Sequence, residues 1–277
     1  MPPAARERFA QLVSGPEETL DLAEAALLIA KEEYPALDIA VYLRKFDELA
    51  AAVRTRLPVS PTPTDVIRVL NVHLFQEEGF HGNTDAYYSP ANSFLNEVVD
   101  RKTGIPITLS VLYLEVGRRL DLSLVGVGFP GHFLVKYTGP EGDIVLDPFL
   151  GGIELDSEQL AQKLRTMYGD HNPLLAQIPQ LLAPTSKKEI LVRMLRNLKG
   201  IYLQQNDFPR ALSVLDRILL VSPGLAMEIR DRGGVHQRLG HLQAALQDFQ
   251  QYLRLAPNAE DAEAVRAVMQ RMTAQLN

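Results

Sequence analysis

His132 and Asp147 are the residues of this chain best suited to proton chemistry: 15 positions separate them, and each stands in or beside a run that reads as a strand. Consecutive antiparallel strands can bring such positions side by side. A carboxylate against an imidazole can then fix the ring's tautomer while the ring takes a proton from a nucleophile. The same pair also arises where a fold merely satisfies two polar groups in a partly buried place. Spacing alone leaves both readings open. A thiol nucleophile is excluded, because the 277 residues include no Cys. Disulfides and thiolate zinc sites are excluded with it.

The elements that must position the pair follow from periodicity. Residues 106–120 are predicted as a helix with Leu109, Leu112, Tyr113 and Val116 inward. Residues 122–128, 133–137 and 144–146 are predicted strands, dense in Val, Leu, Phe and Tyr. Glycines at 128, 131, 139 and 142 mark tight connections between them, so an antiparallel meander is expected. Four helices are predicted upstream. The first opens at Gly15-Pro16-Glu17-Glu18 and breaks at Tyr34-Pro35, with Leu20, Ala23, Leu27 and Ala30 on one face. The second covers 36–57, the third is capped by Thr64-Asp65 and ends near Gly79, and the fourth runs from Ser89-Pro90 through Val98. Prolines keep 57–63 extended. A further helix is predicted over 157–167, followed by an irregular linker over 170–185 containing Pro173, Pro179 and Pro184.

From Ser186 onward the pattern is all-helical and repeats with a period of 34. Ala211 returns as Ala245, Leu215 as Phe249, Ile218 as Tyr252 and Pro223 as Pro257. A small residue at a helix crossing and a proline ending the second helix are what stacked helical hairpins require. Leu198 and Tyr202 stand where tetratricopeptide (TPR) repeats carry Leu and Tyr, whereas the second unit has Arg232 and His236 there. Two TPR units and a capping helix over 258–275 are expected.

Composition narrows the function classes. Hydrophobic residues make up 46% and charged residues 22%, within the globular range. The net charge of -6 is uneven: residues 1–184 hold 15 Lys/Arg against 25 Asp/Glu, and residues 185–277 hold 13 against 9. An acidic body argues against nucleic acid as a partner, since phosphate counterions must be displaced by positive charge. No run reaches the ~18 apolar residues of a membrane span, and the first ten residues lack a signal-peptide core, so a cytoplasmic protein is expected. His73 and His81 with Glu77 or Glu78 lack further ligands at a recognisable spacing, so no metal is expected. Gly126-Val-Gly-Phe-Pro-Gly has the Gly-x-Gly-x-x-Gly form, but no helix follows it, so no phosphate or other cofactor site is expected. Tyr87, Tyr88 and Phe129 are read as cleft wall or core.

Three runs carry a resemblance: Arg101-Lys-Thr-Gly-Ile-Pro-Ile-Thr-Leu-Ser110, Gly126-Val-Gly-Phe-Pro-Gly-His-Phe-Leu134 and Leu146-Asp-Pro-Phe-Leu-Gly-Gly152. Together with the stretches 25–38 and 80–96 they resemble the bacterial SirB-type family, in which a transglutaminase-like domain precedes TPR units. The resemblance implies an α+β fold: a papain/transglutaminase-like domain of helices on a small antiparallel sheet, with an all-α TPR tail. The corresponding segments are 1–100 (helical part), 101–170 (core carrying the His/Asp pair), 171–185 (linker) and 186–277 (TPR units and capping helix). On the family pattern His132 matches the general base and Asp147 its orienting acid. Counting back from Arg118 along the family pattern puts the catalytic Cys at Pro106, which has no nucleophilic atom. Asn92, Asn96, Arg101 and Gly131 are placed along the cleft by the same pattern.

The resemblance therefore implies a degenerate, non-catalytic member that binds a peptide or protein through its cleft and TPR groove. The alternative is a hydrolase or acyltransferase with Ser110 as nucleophile, one helical turn beyond Pro106 and served by His132 and Asp147. Against that alternative, Ser110 and Thr108 would ordinarily bond back to helix carbonyls.

Overall fold

The structure is a computed structural model that describes residues 3–140 and 142–276. It divides into two compact units, Met1–Ile190 and Leu191–Asn277.

In the first unit, helix α1 (Pro3–Ser14) buries Ala5, Phe9 and Val13 in a region where the sequence reading identifies no element. The predicted first helix begins later than Gly15: residues Glu17–Thr19 form a single 3-10 turn, and α2 (Leu22–Ala30) starts behind Asp21, whose side chain accepts from Glu24 N. Helix α3 (Ile39–Arg54) is capped by Asp38. Helix α4 (Pro63–Asn71) is capped by Thr62, not by Thr64-Asp65 as predicted. Thr62 and Asp65 form a reciprocal capping box around Pro63. A π-helical turn, Val72–Glu77, continues α4.

The predicted fourth helix is broken. Residues Pro90–Ser93 make a 3-10 turn, Phe94 is extended, and α5 occupies Leu95–Arg101. Two-residue strands β1 (His81–Gly82) and β2 (Thr103–Gly104) pair in parallel and lead into α6 (Pro106–Arg119).

Helix α6 is the axis of this unit. Twelve consecutive residues, Pro106 to Gly117, are buried, so it is covered all round and not only on the predicted face. Helices α2, α3 and α5 and the sheet pack against it.

The sheet has strands β3 (Leu124–Val127), β4 (Leu134–Gly139), β5 (Gly142–Asp147), β6 (Ile153–Glu154) and β7 (Pro184–Thr185), in the order β6-β5-β4-β3-β7 and antiparallel throughout. The expected meander is its centre. Gly139 pairs with Gly142 across the second turn, in which Glu141 lies outside the described residues. Gly126 leaves room for the Phe133 ring, to which an added Cβ would approach 2.8 Å.

One sheet face, with Val127, Leu134 and Val145, packs on Leu160 and Leu164 of α7 (Ser157–Tyr168). Val135 and Leu146, paired in register and both buried, point to the opposite face by strand alternation.

The segment read as an irregular linker is folded onto this core. A 3-10 turn over Pro173–Gln177 and α8 (Ile178–Leu181) bring Leu174, Leu175, Ile178, Leu181 and Leu182 against the α7 cluster, and β7 closes the sheet edge. Pro173 and Pro179 open short helical turns, where a missing N–H costs nothing, and Pro184 lies in β7.

The second unit is built of helical hairpins: α9 (Lys187–Gln204, of which the unit takes the part from Leu191), α10 (Phe208–Val221), α11 (Ala226–Arg238), α12 (Leu242–Leu255) and α13 (Ala262–Leu276). The repeat positions Ala211 and Ala245 are fully buried, as are Leu215, Ile218 and Tyr252. Arg232, where the repeat pattern calls for Leu, sits between two carboxylates: it reaches Asp216 at 3.0 Å and grips Asp248 at 2.7 and 2.8 Å. Asp248 is buried, so this fork offsets the desolvation of a charge inside the stack.

Candidate functional site

His132 follows the turn at Gly131, whose φ of +66° suits glycine and whose added Cβ would lie 2.3 Å from Met167 Sδ. Asp147 ends β5. Its carboxylate is fully buried and caps the turn Pro148–Leu150, accepting from Phe149 N at 3.1 Å and Leu150 N at 3.3 Å. Across the β4–β5 pairing, His132 Nε2 lies 2.8 Å from Asp147 Oδ1, and Lys163 Nζ from α7 lies 3.1 Å from Oδ2.

Burial alone would push the Asp147 carboxyl up. The hydrogen bond and charge of His132, with Lys163, outweigh it and hold the group below the usual carboxylate range. An ionised Asp147 accepts from His132 Nε2–H and so orients the ring.

The turn after Asp147 is locked from behind. Gly152 has φ +74°, and an added Cβ would lie 2.4 Å from Asn71 Oδ1. Asn71 in turn donates to Gly152 O at 2.8 Å and accepts from the Tyr113 hydroxyl at 2.8 Å. The Phe149 ring fits over Gly82, where an added Cβ would meet it at 2.5 Å, and it packs edge-on to His132 (5.8 Å) and Tyr87 (6.3 Å).

Beside the pair opens a cavity of about 430 Å3. His132 and Lys163 supply its charge-bearing wall, and Leu150, Ile153, Leu155 and Met167 its apolar one. Leu150, Ile153 and Met167 are 46%, 45% and 41% exposed.

The other sequence candidates have different surroundings. Pro106 is buried as the first residue of α6. Ser110 is fully buried, and its hydroxyl donates to Phe133 O at 3.3 Å, tying helix to strand; the expected bond back to its own helix is replaced by this one. Thr108 does bond locally, to Ile105 O, and also donates to Asn92 O at 2.8 Å. Asn92 is buried and organises its own loop, donating to Ala86 O and Tyr87 O and accepting from Asn83. Asn96 is buried with no partner for Oδ1 among the described residues, and Arg101 is exposed at the end of α5. Among the described residues, no hydrogen bond joins Asn92, Asn96 or Arg101 to His132 or Asp147. No group of three metal-ligating side chains comes together among them either.

A family model described as transglutaminase-like superfamily matches residues 40–196, more than half of the chain. The chain belongs to the transglutaminase-like superfamily. A tetratricopeptide-repeat model matches residues 198–270, so the superfamily domain is followed by TPR repeats, as the resemblance implies. Among relatives, a UPF0162 protein of Xylella fastidiosa is 42% identical over 251 residues, covering 90% of this chain and 89% of its own. A UPF0162 protein of Pseudomonas aeruginosa is 32% identical over 87% of this chain and 86% of its own. Protein SirB1 of Salmonella typhimurium is 27% identical over 70% and 71%.

Relative to the transglutaminase-like pattern, sequence reasoning missed Lys163, Asn71 and Phe149. Only Phe149 carried a signal, through its place in the Asp-Pro-Phe-Leu-Gly-Gly run. Among the described residues, no helix is long and apolar enough to cross a membrane.

Proposed function

We propose that this chain is a non-catalytic member of its superfamily, a cytoplasmic scaffold or regulator. It holds a peptide or protein segment in the cleft beside His132 and engages a partner segment, helical or extended, on its TPR helices.

One observation supports the reading: an open, largely apolar cavity beside the His132–Asp147 pair, in a chain that has no Cys. Leu150, Ile153 and Met167 are grouped and exposed around His132, the kind of patch that marks interaction sites. Pro106 offers no reactive atom, and the Ser110 hydroxyl is engaged by the Phe133 carbonyl. A route through Ser110 would require that hydroxyl to leave its carbonyl and meet the imidazole at about 3 Å. In this reading His132 and Asp147 are polar anchors of the cleft wall, held rigid by Lys163 and the Pro148–Leu150 turn.

The test begins with phage-displayed peptides selected on the full chain, then synthesised and titrated by fluorescence polarisation. Ile153→Asp and Met167→Glu should each weaken binding at least tenfold with unchanged melting, and the peptide should keep its mass after prolonged incubation. Peptide cleavage or amine exchange that depends on His132 would overturn the reading, as would unaltered affinity of both variants.

A further inference from the structure

A second cavity, of about 340 Å3, lies among α3, the π-helical turn and α5, outside the lining of the His132 cleft. Leu49, Ala52 and Val99 give it an apolar wall. Its rim carries three carboxylates and two ammonium groups. Lys45 is paired with Asp100 at 2.5 Å, and Lys102 with Glu78 at 2.7 Å. Glu48 is exposed and has no partner among the described residues, so the rim keeps one uncompensated negative charge.

The same wall contains His73, only 3% exposed. Its Nδ1 lies 3.0 Å from Glu77 Oε2. Glu77 is held below the usual carboxylate range by hydrogen bonds, first from Arg56 and then from His73; with Nδ1–H bonded to that carboxylate, a neutral ring presents Nε2 as an acceptor. Nε2 is buried and has no hydrogen-bond partner among the described residues. An unmet buried acceptor costs free energy until a donor reaches it.

The residue also sits in a π-helical turn, where Glu78 N donates to His73 O at 2.9 Å. Such turns are rare and concentrate at functional sites. Surplus acceptors, one net negative charge and a hydrocarbon wall together complement a positively charged donor on an alkyl chain.

We propose that this cavity binds an alkylammonium group, as carried by the lysine side chain of a partner protein or by a free polyamine. Glu48 takes the charge, Leu49, Ala52 and Val99 cover the methylenes, and His73, with its unmet Nε2, lies in the same lining.

Isothermal titration calorimetry of the full chain with Nα-acetyl-lysine methylamide, cadaverine and spermidine, and with butyrate as anionic control, tests this. At least one amine should saturate a single site. Glu48→Gln should weaken it at least tenfold, while Glu7→Gln, on the exposed face of α1, should leave it within twofold. The His73 Nε2 resonance should shift on amine addition and stay in place with butyrate. Tighter binding of the lysine derivative identifies a protein lysine as the source, and tighter binding of spermidine a polyamine. Absence of saturable binding by all three amines, equal binding by Glu48→Gln, or equal binding of butyrate overturns the proposal.

Discussion

Replacing Asp147 with alanine should destabilise the first unit by about 3–5 kcal/mol, the usual loss when one partner of a buried charged pair is removed. The carboxylate is fully buried and receives four donors: His132 Nε2, Phe149 N, Leu150 N and Lys163 Nζ. Hydrogen bonds to a charged group are worth about 1.5–3 kcal/mol each, so a simple sum would exceed that range. The His132 and Lys163 side chains are 14% and 24% exposed and can recover water, which limits the loss.

For a unit of this size each kcal/mol shifts the melting temperature by about 2–4 °C, so a drop of about 10 °C is expected. Near-UV circular dichroism is the suitable assay, because seven of the nine tyrosines lie in residues 1–190. Asp147→Asn keeps one acceptor and should lose about 1–2 kcal/mol. It should also flatten the acid limb. A carboxylate whose folded pKa is depressed contributes stability above its unfolded value, about 3.9, and loses it as pH falls through the folded one. A melting point for Asp147→Ala within about 2 °C of the parent would refute this account of the buried carboxylate.

Gly152→Ala should cost at least about 2 kcal/mol in urea unfolding, since it combines a positive φ with a clash against Asn71, and a neutral outcome would contradict that geometry. Ser110→Ala should cost only about 1 kcal/mol, leave peptide binding unchanged, and match the parent in its lack of labelling by a fluorophosphonate probe. Labelling that Ser110→Ala abolishes would restore the serine-enzyme reading. Arg232→Leu, a change toward the repeat pattern, should destabilise the second unit by about 3–5 kcal/mol because it strands Asp248, whereas the paired change Arg232→Leu with Asp248→Leu should recover much of the loss in thermal melts.

Legibility of the sequence followed how local each cause was. The His132–Asp147 contact was readable because two short strands and a tight turn fix it within 16 residues. Lys163 was not, because its contribution depends on how α7 docks on the sheet, which no spacing reveals. Helix α1 did carry a signal, Ala5, Phe9 and Val13 at intervals of four, but Arg6, Glu7 and Arg8 stand between the first two and dilute it. Residues 170–185 were misread because prolines suggested a linker, although Leu174, Leu175, Ile178, Leu181 and Leu182 already formed an apolar set needing burial. Helix α6 was found with one face inward. Its full burial depends on α2, α3 and α5 wrapping it, which is a tertiary fact.

A peptide selected on the full chain, titrated into isotopically labelled protein and then weighed by mass spectrometry, tests the central claim most directly. Resonances of His132, Leu150, Ile153 and Met167 should move together while the peptide mass stays constant over many hours. A product of altered mass that forms with the parent protein and fails to form with His132→Ala would contradict it.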